Sequence, residues 1–120
     1  MRKPLFASLI ALASLSVGAE TFNCVFTEPF ISFTYSTANR NLILKDYDFK
    51  VKTIRNVNLE VTGPNAFALK KNGVVLAKLS LDYAGSDGMS DFVYPYSVEY
   101  EGLVGGCESS VLKRSEGTQR

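Results

Sequence analysis

Between Gly85 and Asp91 the chain runs Gly85-Ser86-Asp87-Gly88-Met89-Ser90-Asp91, which sets two carboxylates four positions apart among two serines and two glycines. Met89 is the only methionine besides Met1. Carboxylates and hydroxyls at this density can ligate a hard cation or present a contact loop to a partner. The calcium-loop order of alternating Asp or Asn ligands followed by a distal Glu is missing, so calcium is the weaker reading. The same residue types also build turns: Asp and Ser accept hydrogen bonds from nearby backbone N–H groups, and Gly supplies positive φ. Both roles stay open on sequence alone. The candidate binding residues are therefore Asp87, Met89, Ser90 and Asp91. Tyr94 and Tyr96 join them from the aromatic run that follows, and Glu28 and Phe30 from the corner Glu28-Pro29-Phe30.

Other chemistries are harder to place. The chain has no histidine, which removes the commonest general base and the commonest transition-metal ligand. It has two cysteines, Cys24 and Cys107, and pairing them leaves no thiolates for zinc or an iron–sulfur cluster. A carboxylate pair or a Ser-Lys dyad could still run hydrolysis, but no such motif is recognisable. We expect no catalytic residues, no metal and no cofactor.

The elements that would position these residues begin after residue 19. Met1-Arg2-Lys3 gives a basic start, Leu5 to Leu15 an apolar run, and Val17-Gly18-Ala19 small residues before Glu20. That is the layout of a secretory signal peptide with cleavage between Ala19 and Glu20. The run would reach only ~16 Å as a helix, about half a bilayer core, so no membrane anchor is expected after cleavage. The mature chain is expected to be periplasmic or secreted from a bacterium. In such a compartment Cys24 and Cys107 are expected to form a disulfide between the first and last strands. Loss of Arg2 and Lys3 leaves 11 basic against 12 acidic residues, and no stripe of Lys and Arg interleaved with aromatics remains. Nucleic acid is not an expected partner. The partner is an unidentified envelope protein or small ligand.

Period-two alternation runs through most of the mature chain, as in half-buried strands. Phe22, Cys24 and Phe26 alternate, as do Ile31, Phe33 and Tyr35, then Leu42 and Leu44, then Tyr47, Phe49 and Val51, then Val57, Leu59 and Val61. Phe67 and Leu69 pair across Asn72-Gly73, a type I′ turn signal, with Val75, Ala77, Leu79 and Leu81. A last run takes Phe92, Tyr94, Tyr96, Val98 and Tyr100, with Pro95 marking an edge or a bulge. The expected fold is all-β: a small antiparallel barrel or sandwich of seven to eight strands with one disulfide. Residues 20–112 form the single domain and 113–120 a flexible polar tail.

Thr27-Glu28-Pro29-Phe30, Asp87-Gly88-Met89-Ser90-Asp91, Tyr94-Pro95-Tyr96 and Gly106-Cys107 occur in the order seen in a family of small bacterial envelope proteins and lipoproteins of unestablished function, which this chain resembles. The resemblance covers about 80 residues from Cys24 to Cys107. It departs at Ile31, where the family usually has tryptophan, and at Gly85-Ser86, where a cysteine is frequent. It implies an exported β-protein and supports location and fold more than activity. In architecture alone the chain also resembles the small periplasmic inhibitors of C-type lysozyme. That likeness implies an alternative function, inhibition of a hydrolase by loop insertion.

Overall fold

Turn-forming clusters break the alternating runs often enough that each run reverses onto its neighbour. A computed structural model describes residues 19–26 and 31–116. The described chain forms β1 (Thr21–Phe26), β2 (Ser32–Ser36), β3 (Leu42–Lys45), β4 (Val51–Ile54) and β5 (Asn58–Gly63). It continues through β6 (Ala66–Lys71), β7 (Val74–Gly85), β8 (Phe92–Tyr100), β9 (Leu103–Ser109) and a two-residue β10 (Ser115–Glu116). No helix occurs among the described residues. The protein is all-β and antiparallel, with ten strands among the described residues; the two beyond the expected number are β9 and β10.

Strand order is β4-β3-β2-β1-β9-β8-β7-β6-β5, with β10 added to β8. Two meanders are thus joined along one ladder, β1 with β9. Cys24 lies directly opposite Cys107 on that ladder, and the two are bonded with Cα atoms 4.0 Å apart. The bond spans 83 residues, which in the loop-entropy account contributes about 4–5 kcal/mol.

The sheet is not closed, because no ladder joins its outer strands β4 and β5. Yet only residues 55–57 connect those strands, and so short a link reaches about 14 Å at ~3.6 Å per residue. The sheet must therefore curl until its two edges meet at one end. Val57 seals that end. Its N–H donates to the Arg40 carbonyl at 2.9 Å, and its own carbonyl accepts from the buried Tyr35 hydroxyl at 2.7 Å. The curled inner face holds one core that includes Phe22, Phe26, Phe33, Leu42, Leu69 and Leu79.

Asn72 and Gly73 both have positive φ, as the hairpin signal requires. Other expectations fail for physical reasons. Tyr47, Phe49 and Val51 are exposed instead of lining the core. Asp46 Oδ1 accepts from the N–H groups of Asp48 and Lys50, which turns residues 46–50 into a hairpin tip. The aromatic run of β8 is split between faces. Tyr96, Val98 and Tyr100 join the core, whereas Tyr94 lies over Gly106, whose pairing with Val25 and Ser97 sets it on the outer face. A register shift opposite β8, between Leu81 and Gly85, accompanies the break, and buried Pro95 falls at this bulge and not on an edge. Ser115 and Glu116 of the expected tail pair with Val93 and Phe92. Arg114 anchors them, stacking 4.2 Å above the Phe92 ring and donating from its backbone N–H to Glu108. Residues 117–120 lie outside the described residues, as do residues 1–18, which hold nearly all of the expected signal peptide.

Candidate binding site around Met89

The connection from β7 to β8 folds back over the outer face of β9 and is organised by one carboxylate. Asp87 Oδ1 accepts from the N–H groups of Met89 at 2.9 Å and Ser90 at 2.8 Å. Asp87 Oδ2 accepts from the Ser90 hydroxyl at 2.7 Å and the Tyr94 hydroxyl at 2.9 Å. Burial alone would push the Asp87 carboxyl up. The bonds from Ser90, Met89 and Tyr94 outweigh it and hold the group well below the ordinary carboxylate range. Burial pushes the Tyr94 phenol up, and its bond to the Asp87 carboxylate pushes it further. Ser86 Oγ accepts from the Gly88 N–H, and Ser90 Oγ from the Phe92 N–H, so both serines serve the turn.

Tyr94 can reach Asp87 because position 106 has no side chain. A Cβ there would lie 2.8 Å from Tyr94 Cγ and 2.8 Å from the Ser86 N. Gly106 thus admits the ring on the outer face. Its neighbour Gly105 admits the close approach of the Val25 carbonyl, and a Cβ there would also sit 2.9 Å from Phe26 Cδ2 on the inner face.

With its backbone pinned, the loop holds the Met89 side chain out, 69% exposed. A groove of about 210 Å³ runs beside it, lined by Val25, Phe26, Ile31, Ser32, Asp87, Met89 and Tyr94. The lining is mainly apolar. It can take up an apolar side chain beside a flexible thioether, the kind of surface that adapts to a partner.

Of the candidate residues, Asp87, Met89, Ser90, Asp91 and Tyr94 come together here, with Asp91 exposed at the end of the loop. Tyr96 does not. It is buried on the inner face, its ring edge-on to Phe22 at 5.3 Å and to Phe67 at 6.2 Å. Glu28 and Phe30 lie outside the described residues. Ile31, the first described residue after them, lines the groove. Glu20, at the expected cleavage junction, donates its N–H to Thr37 Oγ1 at 2.9 Å just before the first ladder. Val25 and Ser32 had no signal of their own. They are the outward members of strands read for their inward ones, and would be found by asking what an outer face carries beside a glycine pair. No family model, curated protein or solved structure matches this chain.

Proposed function

We propose that this protein is an exported, non-enzymatic binding protein of the bacterial envelope, periplasmic or secreted, whose contact surface is the loop of residues 86–91 and the groove beside it. The observation that carries this reading is the pairing of a pinned backbone with a projecting apolar side chain. Asp87 fixes the loop before any partner arrives, so little ordering entropy is lost on binding. The groove is smaller than the ~300–1,000 Å³ of enclosed small-molecule sites, which favours a protein partner. Export is supported by the layout of the first nineteen residues, and the disulfide fits an oxidising compartment. The same projecting loop favours one special case, insertion into the cleft of a hydrolase such as a C-type lysozyme.

A photo-crosslinking residue at position 89, with one at exposed Val61 as control, tests the reading in envelope extract. A partner captured from 89 alone is expected. Met89→Ala should then weaken its binding by about tenfold, ~1.4 kcal/mol, at an unchanged unfolding midpoint. Equal capture from both positions, or full affinity in Met89→Ala, would remove this loop as the site. Undiminished lysozyme activity at saturating protein would remove the inhibitor case.

A further inference from the structure

The core and the groove are each assembled from two halves of the chain that one tight turn connects. β1 to β4 precede Asn56 and β5 to β10 follow it, and among the described residues the only ladder between the halves is β1 with β9. Asn56 has φ 61°, a left-handed turn conformation that extended chain does not use. Each neighbour of Asn56 is held by the opposite half. The Arg55 carbonyl accepts from Lys71 Nζ at 2.8 Å. Val57 donates its N–H to the Arg40 carbonyl at 2.9 Å, and its own carbonyl accepts from the Tyr35 hydroxyl at 2.7 Å. The Arg40 guanidinium donates to Asn58 Oδ1 at 2.8 Å. Farther along the seam, the Ser110 N–H donates to the Thr21 carbonyl at 2.8 Å and Cys24 is bonded to Cys107.

Every one of these bonds runs from one half to the other. None requires that both halves belong to the same chain. If the turn at Asn56 opens to an extended conformation, the first half of one copy can receive the second half of another and remake the same bonds with two-fold symmetry. A short, tightly turned connection favours such an exchange, because opening it gives up no contact outside the turn. β4 and β5 have no ladder between them within one chain. In the exchanged pair, β4 of one copy and β5 of the other run antiparallel beside the two-fold axis, where their free edges can meet.

We propose that this protein dimerises by exchanging its halves at Asn56, the partner being a second copy of the chain, with two Cys24–Cys107 bonds between the copies. Each bond forms by exchange with a small disulfide oxidant such as oxidised glutathione. The Cys24 thiolate attacks one sulfur of the oxidant and expels a thiolate; the Cys107 thiolate of the other copy then attacks the Cys24 sulfur and expels the second. The bond fixes whichever arrangement is present when it closes. Val25, Phe26, Ile31 and Ser32 of the groove come from the first half, and Met89 and Tyr94 from the second. The dimer therefore carries two grooves, each built by both copies, although the exchange does not rest on what the groove binds.

The test is refolding of the reduced, denatured protein in glutathione buffer over a wide range of concentration, followed by non-reducing gels and peptide mapping. The expected product includes a disulfide-linked dimer with the circular dichroism of the monomer, its share rising with concentration and its linked peptides joining Cys24 to Cys107. Chains carrying Cys24→Ala or Cys107→Ala cannot make this bond alone. Refolded together, they should give a covalent heterodimer joined Cys24 to Cys107, because the exchanged pair retains one such site. Asn56→Val, whose branched side chain resists the left-handed region, should raise the dimer share of the parent chain about fivefold, and a short Gly-Ser insertion after Asn56 should lower it about as much. Should the single-cysteine chains fail to fold, the two hinge variants decide the matter. No heterodimer from folded chains, a dimer linked through like cysteines, or a dimer share indifferent to both hinge variants would overturn the proposal.

Discussion

The hydroxyl of Tyr94 donates to Oδ2 of Asp87 at 2.9 Å while the Tyr94 ring lies over Gly106. One side chain therefore fastens the loop to the outer face of the sheet. The Asp87, Tyr94 and Gly106 positions, on the loop, β8 and β9, form a single structural unit. Asp87 is thus the turn organiser, and Met89 is the residue that the turn displays.

Tyr94→Phe keeps the ring and removes the bond. We predict a stability loss of about 1 kcal/mol, at the low end for a bond to a carboxylate because the site is partly open to water. The Asp87 carboxyl should move up toward its ordinary range. Denaturant unfolding and carboxyl-carbon NMR titration read the two effects, and a variant unchanged in both would show that the bond does not hold the loop.

Acid should release the loop late. A carboxyl whose folded-state pKa is depressed contributes stability above its unfolded value, ~3.9, and loses it as pH falls through the folded one. Asp87 is held low, so the Met89 and Ser90 amides should stay protected at a pH where an ordinary carboxylate is mostly protonated. In Asp87→Asn, hydrogen exchange at these amides should quicken even at neutral pH. Amides that lose protection near the ordinary value would mean that the four bonds do not act on this group.

Gly106→Ala forces a methyl against Tyr94 and the Ser86 backbone. The expected cost is about 1–3 kcal/mol, typical of overpacking. Tyr94→Ala in the same chain should recover part of it, giving a coupling energy in a double-mutant cycle. Additive effects would place the clash elsewhere.

Replacing Cys24 and Cys107 together by alanine should lower stability by about 2–5 kcal/mol while leaving strand content intact in the folded variant. Circular dichroism and denaturant midpoints measure both. A double variant as stable as the parent would mean that the β1–β9 ladder holds without its bond.

Alternation located β1, β2, β3, β6 and β7 because in each a turn signal ends the run and the inward set is large and apolar. It misread Tyr47, Phe49 and Val51, since the same period arises whether side chains enter a core or stand out from a tip that Asp46 caps. It passed over β9 because Gly105-Gly106 carries no side-chain pattern. What those glycines make room for, the Val25 carbonyl and Phe26 at one and Tyr94 at the other, sits on other strands. The turn role of Asp87 was readable from residue type. Its bond to Tyr94 was not, because it depends on the bulge at Pro95 turning Tyr94 to the outer face.

The seam between the two meanders also imposes an order in time. As the chain is synthesised, β1 to β4 are complete while β9 is still to be made, and Cys24 has no partner until 83 further residues exist. Through that interval β1 offers a bare row of N–H and C=O groups next to an unpaired sulfur. Two half-made copies present the same bare edge and thiol to each other, the hazard of any unpaired strand. Whatever prevents this must act on the first meander before the second has appeared.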